Sequence, residues 1–364
     1  MKIMTVLGTR PEIIRLSLVI SKLDLLADSH ILVHSGQNYD RSLSDVFFDQ
    51  MGIRKPDVHI QLQAQTVGEQ IAQMFTQVEK VLIQEKPDRM LVLGDTNSAL
   101  TAIIGERHGI PVYHMEAGNR CYDTRVPEEI NRKAIDAIST CNMPYTPGAR
   151  ENLLRDGVPP QRIWMTGNPI YEVMQHYKEH ANRSTILTDL GLQDKGYLLV
   201  TAHRAENVDD ASRLQQIVQG LNLLADDLQV PIICSTHPRT QDRLIKSGIT
   251  GYNPLIQFLP PFGFFDFLKL QMHAACVITD SGTVQEESCI LGVPAVTIRQ
   301  STERPETLIC GSNLLSGLVP ERIHACVKLM LNSHLTWDYP EGYLDPHVSS
   351  KVVNIVLGGQ SYVH

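Results

Sequence analysis

Short apolar runs alternate with amphipathic stretches along most of the chain, and the alternation occurs as two successive series. In the first, strand-like runs fall at 3–7, 31–34, 90–93 and 111–115, with weaker ones near Met143 and at 164–166. Amphipathic segments such as 70–84 and 98–107 lie between them. The second series begins after Thr166-Gly167-Asn168-Pro169 and runs 197–201, 231–235, 255–259, 276–279 and 295–298. Strand followed by helix, repeated, predicts an α/β chain of two Rossmann-like doubly wound domains. Gly167-Asn168-Pro169 reads as a linker. The expected domains are therefore 1–168 and 169–345, with a last helical stretch inside 346–364 packing back on the first. Two such halves imply a central cleft, and ligands of these sheets sit beyond the C-terminal ends of the strands.

The polar residues gather at those ends. The first strand runs into Gly8-Thr9-Arg10-Pro11-Glu12, with Pro11 expected at the first helical position. The third ends in Gly94-Asp95-Thr96. The fourth ends in His114-Met115-Glu116-Ala117-Gly118-Asn119-Arg120, with Pro127-Glu128-Glu129-Ile130-Asn131-Arg132 beyond it. In the second half the corresponding clusters are His203-Arg204-Ala205-Glu206-Asn207, Thr236-His237-Pro238 and 299–306. Residues 278–294, ITDSGTVQEESCILGVP, are the most informative: a buried-strand pattern ends in Asp280, and Ser281 and Gly282 open a helix. Unpaired N–H groups at such a helix start suit a phosphate. A carboxylate one to two turns on suits the two hydroxyls of a ribose. The alternative is an ordinary capped helix whose acidic residues favour its dipole.

Composition narrows the function classes. A chain of 364 residues, 43% apolar and 20% charged, has the length for two cores and the make-up of neither a disordered nor a membrane protein. A net charge of −8 argues against a broad nucleic-acid surface. No apolar run is long enough to cross a membrane, and the start lacks a signal-peptide pattern. The seven cysteines are scattered and never form CxxC, which points to a reducing, cytoplasmic setting. There is no GxGxxG after a strand, no phosphate loop of the GxxxxGK type, no HExxH, no GxSxG and no zinc spacing. The expectation is an enzyme without bound nicotinamide cofactor or metal.

The motifs GTRPE (8–12), GDT (94–96), HMEAGNR (114–120), PEEINR (127–132), TGNP (166–169), HRAEN (203–207), HP (237–238), DSGTVQEE (280–287) and ERPE (303–306) occur in one order. Together they resemble the non-hydrolysing UDP-N-acetylglucosamine 2-epimerases. The resemblance implies a GT-B-like pair of domains, a homodimer, and reversible inversion at C2 of a UDP-2-acetamido sugar. UDP is eliminated to leave a 2-acetamidoglucal, then added back on the other face. Carried over by motif position, Asp95, Glu116 and Glu128 are acid/base carboxylates, and His203 joins them beside the diphosphate. Arg10, Arg15, Arg132, His237, Ser281, Gly282, Thr283, Glu287 and Arg304 contact substrate, Ser281 and Gly282 at phosphate and Glu287 at ribose. No cofactor and no metal is implied; the partner is a UDP-sugar, with neither nucleic acid nor membrane.

Three departures stand out. Arg15 replaces the usual Lys, Thr283 replaces the second Gly of DSGG, and Gln37-Asn38-Tyr39-Asp40 and 66–70 differ from segments that bind a second, activating UDP-GlcNAc in many bacterial members. The segment AGNRCYDTRVPEEINR also resembles the branch that makes UDP-N-acetyl-L-fucosamine from UDP-2-acetamido-2,6-dideoxy-L-talose, whereas STERPETLICGSN resembles the UDP-GlcNAc branch. The expected reaction is UDP-GlcNAc to UDP-ManNAc for surface polysaccharide synthesis, with the 6-deoxy sugar as the alternative. More distant readings are a GT-B glycosyltransferase, a hydrolysing epimerase and a catalytically silent UDP-sugar sensor.

Overall fold

The structure, a computed structural model, describes residues 1–37, 41–249, 252–333 and 336–358. It divides into two compact units, one formed by Met1–His176 with Glu341–His364 and the other by Tyr177–Pro340.

The first unit holds β1 (Lys2–Leu7), β2 (Ser29–His34), β3 (Val58–His59), β4 (Arg89–Leu93), β5 (Val112–Met115) and β6 (Cys141–Met143). All pair in parallel, in the order β3-β2-β1-β4-β5-β6. The second unit holds β7 (Leu198–Thr201), β8 (Ile232–Ser235), β9 (Ile256–Leu259), β10 (Cys276–Thr279), β11 (Ala295–Thr297) and β12 (Asn313–Leu315). Its parallel order, β12-β11-β10-β7-β8-β9, repeats that of the first unit. Each is a doubly wound sheet whose chain reverses direction of winding beside its first strand, at β1/β4 and at β7/β10. The central strands read as unbroken apolar runs because both faces are covered. In β7, Leu198 and Val200 join a core with Ile217, Leu221 and Ile323, while Leu199, with Tyr197 just before the strand, joins another with Leu270 and Val277. Burying each such side chain is worth about 1.5–3 kcal/mol.

The division of the chain differs from the sequence expectation. Gly167-Asn168-Pro169 is no linker: Asn168 is buried, its N–H donates to the Gly342 carbonyl at 2.8 Å, and its Oδ1 accepts from Ile170 N at 3.1 Å. The following helix, Pro169–His176, packs on the helix Arg10–Leu26, so the boundary falls at His176/Tyr177. The return crossing comes at Pro340/Glu341 rather than at 345/346. The last helix, Val348–Gly358, packs on Arg10–Leu26, where Lys22 Nζ donates to Ser349 Oγ at 2.7 Å and Ser350 Oγ at 2.6 Å.

Residues 164–166 are not a strand. Trp164 and Met165 are exposed, and a single bridge at Ile163 with the bonds Trp164 N–H to Asn142 O (2.8 Å) and Thr166 N–H to Pro144 O (3.0 Å) continues the sheet edge. The expected helix at 98–107 begins as a 3-10 turn, Ala99–Thr101, before Ala102–Arg107. Pro11 occupies the second helical position, Arg10 the first. Of the segments that depart from the activating-site pattern, Asn38 to Asp40 lie outside the described residues; Thr66 caps the helix Val67–Glu85 in a capping box with Glu69.

Candidate active site

In the first unit the polar clusters meet at the C-terminal ends of β1, β4 and β5, beside the switch point. Glu12 sits in the first turn of Arg10–Leu26 and turns back to the end of β1. Its carboxylate accepts from Gly8 N (2.8 Å), Thr9 N (2.7 Å), Thr9 Oγ1 (2.9 Å) and Thr96 Oγ1 (2.7 Å), tying the β1 loop to the β4 loop. Burial outweighs those four donors and pushes its carboxyl up to about 7. Gly8 is required here: a Cβ would lie 2.1 Å from Ser35 Oγ and 2.3 Å from Ser98 Oγ.

Each candidate carboxylate at the strand ends is held by a buried arginine. Arg15, one turn into its helix and 1% exposed, forms an ion pair with Glu116 after β5. Glu116 adopts φ +66°, a left-handed conformation that costs a non-glycine residue about 1–3 kcal/mol. Strain of that size persists where surrounding contacts over-determine it, and Arg15 is such a contact. Asp95, after β4, receives Arg132 Nε at 3.0 Å and Nη2 at 2.5 Å, while Arg132 Nη1 donates to Glu129 at 2.6 Å. Asn131 Nδ2 fixes the Asp95 carbonyl at 3.0 Å. Arg132 is thus a fork between two carboxylates, a geometry lysine would not supply. Glu128 is half-buried in the first turn of the helix Pro127–Ile138, and Glu129, beside it, is fully buried. Burial works to raise the Glu129 carboxyl, but donors from Cys121 N and Arg132 hold it below the usual range. Arg10 is half-buried, with its guanidinium 5.8 Å from the Phe47 ring, and burial lowers its pKa.

A further network lies behind these groups. His114 is fully buried with Nδ1 3.0 Å from Asp136 and Nε2 2.8 Å from the Gly94 carbonyl. Burial pulls its pKa down, but Asp136 and the carbonyl prevail and raise it, favouring the charged ring between them. It therefore pins the turn that presents Asp95. Arg120 and Gly118 N also bind Asp136, at 2.7 and 3.1 Å.

In the second unit β10 runs into Asp280, which is buried and faces the start of the short helix Ala205–Val208. It accepts from His203 N (3.0 Å), Arg204 N (3.0 Å) and Asn207 Nδ2 (3.1 Å), lashing the β7 loop to the β10 end across the switch point. His203 Nδ1 lies 3.3 Å from Asp280, while the ring as a whole stays 46% exposed. Ser281 caps the helix Gly282–Leu291 with no side-chain hydrogen bond of its own to the helix. A Cβ at Gly282 would lie 2.4 Å from Glu303 Oε1, and Glu303 is held by Arg299 (2.8 Å) and Arg204 (3.2 Å).

The three polar side chains of QEE separate by role. Gln285 Oε1 accepts from Thr302 Oγ1 (2.7 Å) and Asn313 Nδ2 (3.2 Å), and Glu286 takes Arg304 Nε at 2.6 Å. Glu287 is 5% exposed and Thr283 half-buried. His237 is half-buried just before the helix Pro238–Lys246. Arg15, Arg132 and Arg304, expected at substrate, are thus buried against Glu116, Asp95 and Glu286. Sequence reasoning passed over Asp136, Asp280 and Glu303 as site residues, although each is an acid inside or beside a strand-end cluster. Among the described residues no group of three or more His, Cys, Asp or Glu could hold a metal, and no helix is long and apolar enough to cross a membrane.

Fold and strand-end chemistry together define an α/β enzyme of the Rossmann type. The profile of the UDP-N-acetylglucosamine 2-epimerase family matches residues 24–357. The chain belongs to that family, and is an isomerase of its non-hydrolysing type. It is 39% identical to the UDP-N-acetylglucosamine 2-epimerase of Methanococcus maripaludis, over 98% of either chain. It is similar to the crystal structure of the Methanocaldococcus jannaschii UDP-GlcNAc 2-epimerase in complex with UDP-GlcNAc and UDP, with a TM-score of 0.92, 37% identity and coverage of 98% and 99%. It is also 38% identical to the UDP-2,3-diacetamido-2,3-dideoxy-D-glucuronate 2-epimerase of Pseudomonas aeruginosa, over 93% of this chain and 94% of that one. The fold alone is shared with the glycosyltransferase WaaG, at 14% identity and a TM-score of 0.62.

Proposed function

We propose that the enzyme interconverts UDP-GlcNAc and UDP-ManNAc, by elimination of UDP and re-addition through a 2-acetamidoglucal. The observation that carries this reading is the pair of carboxylates, Asp95 and Glu116, each held by a buried arginine at neighbouring strand ends. A carboxylate, with Asp95, Glu116 and Glu128 as the candidates, removes the C2 proton; the C2–H pair becomes the C1–C2 double bond and the C1–O bond breaks with its electrons on UDP. A proton returned to the opposite face of C2, with UDP re-forming the C1–O bond, completes the inversion. The C2 proton is weakly acidic, so the chemistry needs a good leaving group, and UDP is one. Within the second unit the Gly282 N–H and the Ser281 hydroxyl, with His203 and His237, would receive the departing diphosphate, and Glu287 the ribose; the Ser281 N–H itself already donates to Thr279 Oγ1 at 3.0 Å.

On this reading the protein works in the cytoplasm, as a homodimer, and supplies surface polysaccharide synthesis. The Pseudomonas aeruginosa relative supports a second reading, that another UDP-2-acetamido sugar is the preferred substrate. UDP-2-acetamido-2,6-dideoxy-L-talose is the alternative from the sequence, and the 2,3-diacetamido glucuronate is the one named for that relative. A proton NMR time course with each sugar tests both readings. Two UDP-sugars approaching equilibrium from either side are expected; free ManNAc with UDP, or transfer that requires an acceptor, would overturn the proposal.

A further inference from the structure

Two thiols stand close together beside the candidate nucleotide residues. Cys289 is fully buried in the helix Gly282–Leu291, and half-buried Cys310 caps the helix Pro305–Ile309. Their sulfurs are 3.8 Å apart, with Cys310 Sγ 3.3 Å from Ser312 Oγ. The hydrogen bond between the two thiols holds the Cys310 thiol down to about 6 and pushes that of Cys289 up. Burial raises the thiols of Cys121, Cys141, Cys234, Cys276 and Cys326 instead. Cys310 is therefore the one with both access and thiolate character.

We propose that Cys289 and Cys310 form an oxidisable dithiol site that takes hydrogen peroxide and closes to a disulfide linking the two helices. The Cys310 thiolate attacks one peroxide oxygen, the O–O bond breaks, and the leaving hydroxide takes a proton to become water. The resulting sulfenic acid is attacked by the Cys289 sulfur; the S–S bond forms, the S–O bond breaks, and a second water leaves. The sum is two thiols and one peroxide giving one disulfide and two waters.

The link has a structural consequence. A disulfide requires sulfurs about 2.0 Å apart, so closure draws the chain at Cys310 toward the helix Gly282–Leu291. The segment leading to it already crowds that helix at Gly282, where Glu303 leaves no room for a Cβ. Drawing it nearer narrows the approach to the Gly282 N–H and weakens UDP binding. This consequence rests on reading Ser281 and Gly282 as phosphate donors; the dithiol site does not.

The test uses the full chain treated with hydrogen peroxide, alkylated under denaturing conditions and mapped by peptide mass. A dithiothreitol-sensitive peptide joining Cys289 to Cys310 is expected. In C289S oxidation should stop at a sulfenic acid on Cys310, trapped by dimedone, and in C310S Cys289 should remain alkylatable. Calorimetry should show a severalfold loss of UDP affinity in the linked protein, regained on reduction and absent in peroxide-treated C310S. A sulfinic acid on Cys310 with Cys289 still alkylatable, or linkage to a different cysteine, overturns the site. A linked peptide with unaltered UDP affinity overturns the narrowing at Gly282.

Discussion

Glu116 is held in a conformation it would not choose, by a buried arginine that also lies over the Tyr145 ring. An amide in its place keeps the shape and can still accept from Arg15, but cannot remove a proton. Glu116→Gln and Glu128→Gln are each expected to lower turnover by about 10²-fold or more, the usual range for a positioned acid or base. UDP affinity measured by calorimetry should stay near the wild-type value, and a matching loss of affinity would reassign the residue to binding. Glu12 makes a prediction of a different kind. Its carboxyl titrates near 7 in the folded chain against about 4.5 unfolded, so the folded state binds that proton more tightly. The resulting stability, on the order of 3 kcal/mol, is fully present below about 4.5 and lost as pH rises through about 7. His114, also raised, acts in the same direction. Urea unfolding at pH 5 and pH 8 should therefore show the midpoint falling with pH, and Glu12→Gln should flatten that fall. Equal slopes in the two proteins would mean that Glu12 is ionised throughout, its four donors outweighing its burial.

At the scale of single elements, the β10 strand and the helix Gly282–Leu291 illustrate what sequence conveys. The strand is a run of buried residues stopped by an acid, and the small Ser281-Gly282 pair marks the turn, so both ends were legible. The role of Asp280 was not, because its partners come from a loop more than seventy positions earlier. The same holds for Arg15 with Glu116, 101 residues apart, and for Arg132 with Asp95, 37 apart: cations and acids were visible, their pairing was not. β3 and β12, two and three residues long, carry too little pattern to register, and TGNP looked like a linker because a buried turn and an exposed one use the same residues. Gly282 gives the element-scale test. Gly282→Ala places a methyl 2.4 Å from Glu303 Oε1, so Glu303 must shift away from Arg204 and Arg299. Overpacking of this kind costs about 1–3 kcal/mol, to be read as a lowered melting temperature with weakened UDP binding. An unchanged melting temperature would show that the segment 299–306 yields without strain.

Across the whole molecule the two units share one strand order but differ in chemistry. The candidate carboxylates belong to the first unit, and the helix start with Glu287 belongs to the second. Glu287→Ala should accordingly lower UDP affinity by about 1–3 kcal/mol, the worth of a hydrogen bond to a charged group, whereas Glu116→Gln should not. The reaction itself offers the sharpest test. In the proposed elimination the C2 proton passes to a carboxylate, and a carboxylate proton exchanges with solvent whenever the intermediate outlives that exchange. Turnover in D2O should therefore place deuterium at C2 of the product, and of recovered substrate as the reaction runs back. An oxidation–reduction route would instead hold the hydrogen as hydride on a nicotinamide and return it without exchange. Purified protein should turn over with no added nicotinamide, and acid-released small molecules should include none. Partial protium retention is compatible with a shielded base. Full retention at C2 together with released nicotinamide would mean that the carboxylates serve a different reaction, and elimination of UDP would have to be abandoned.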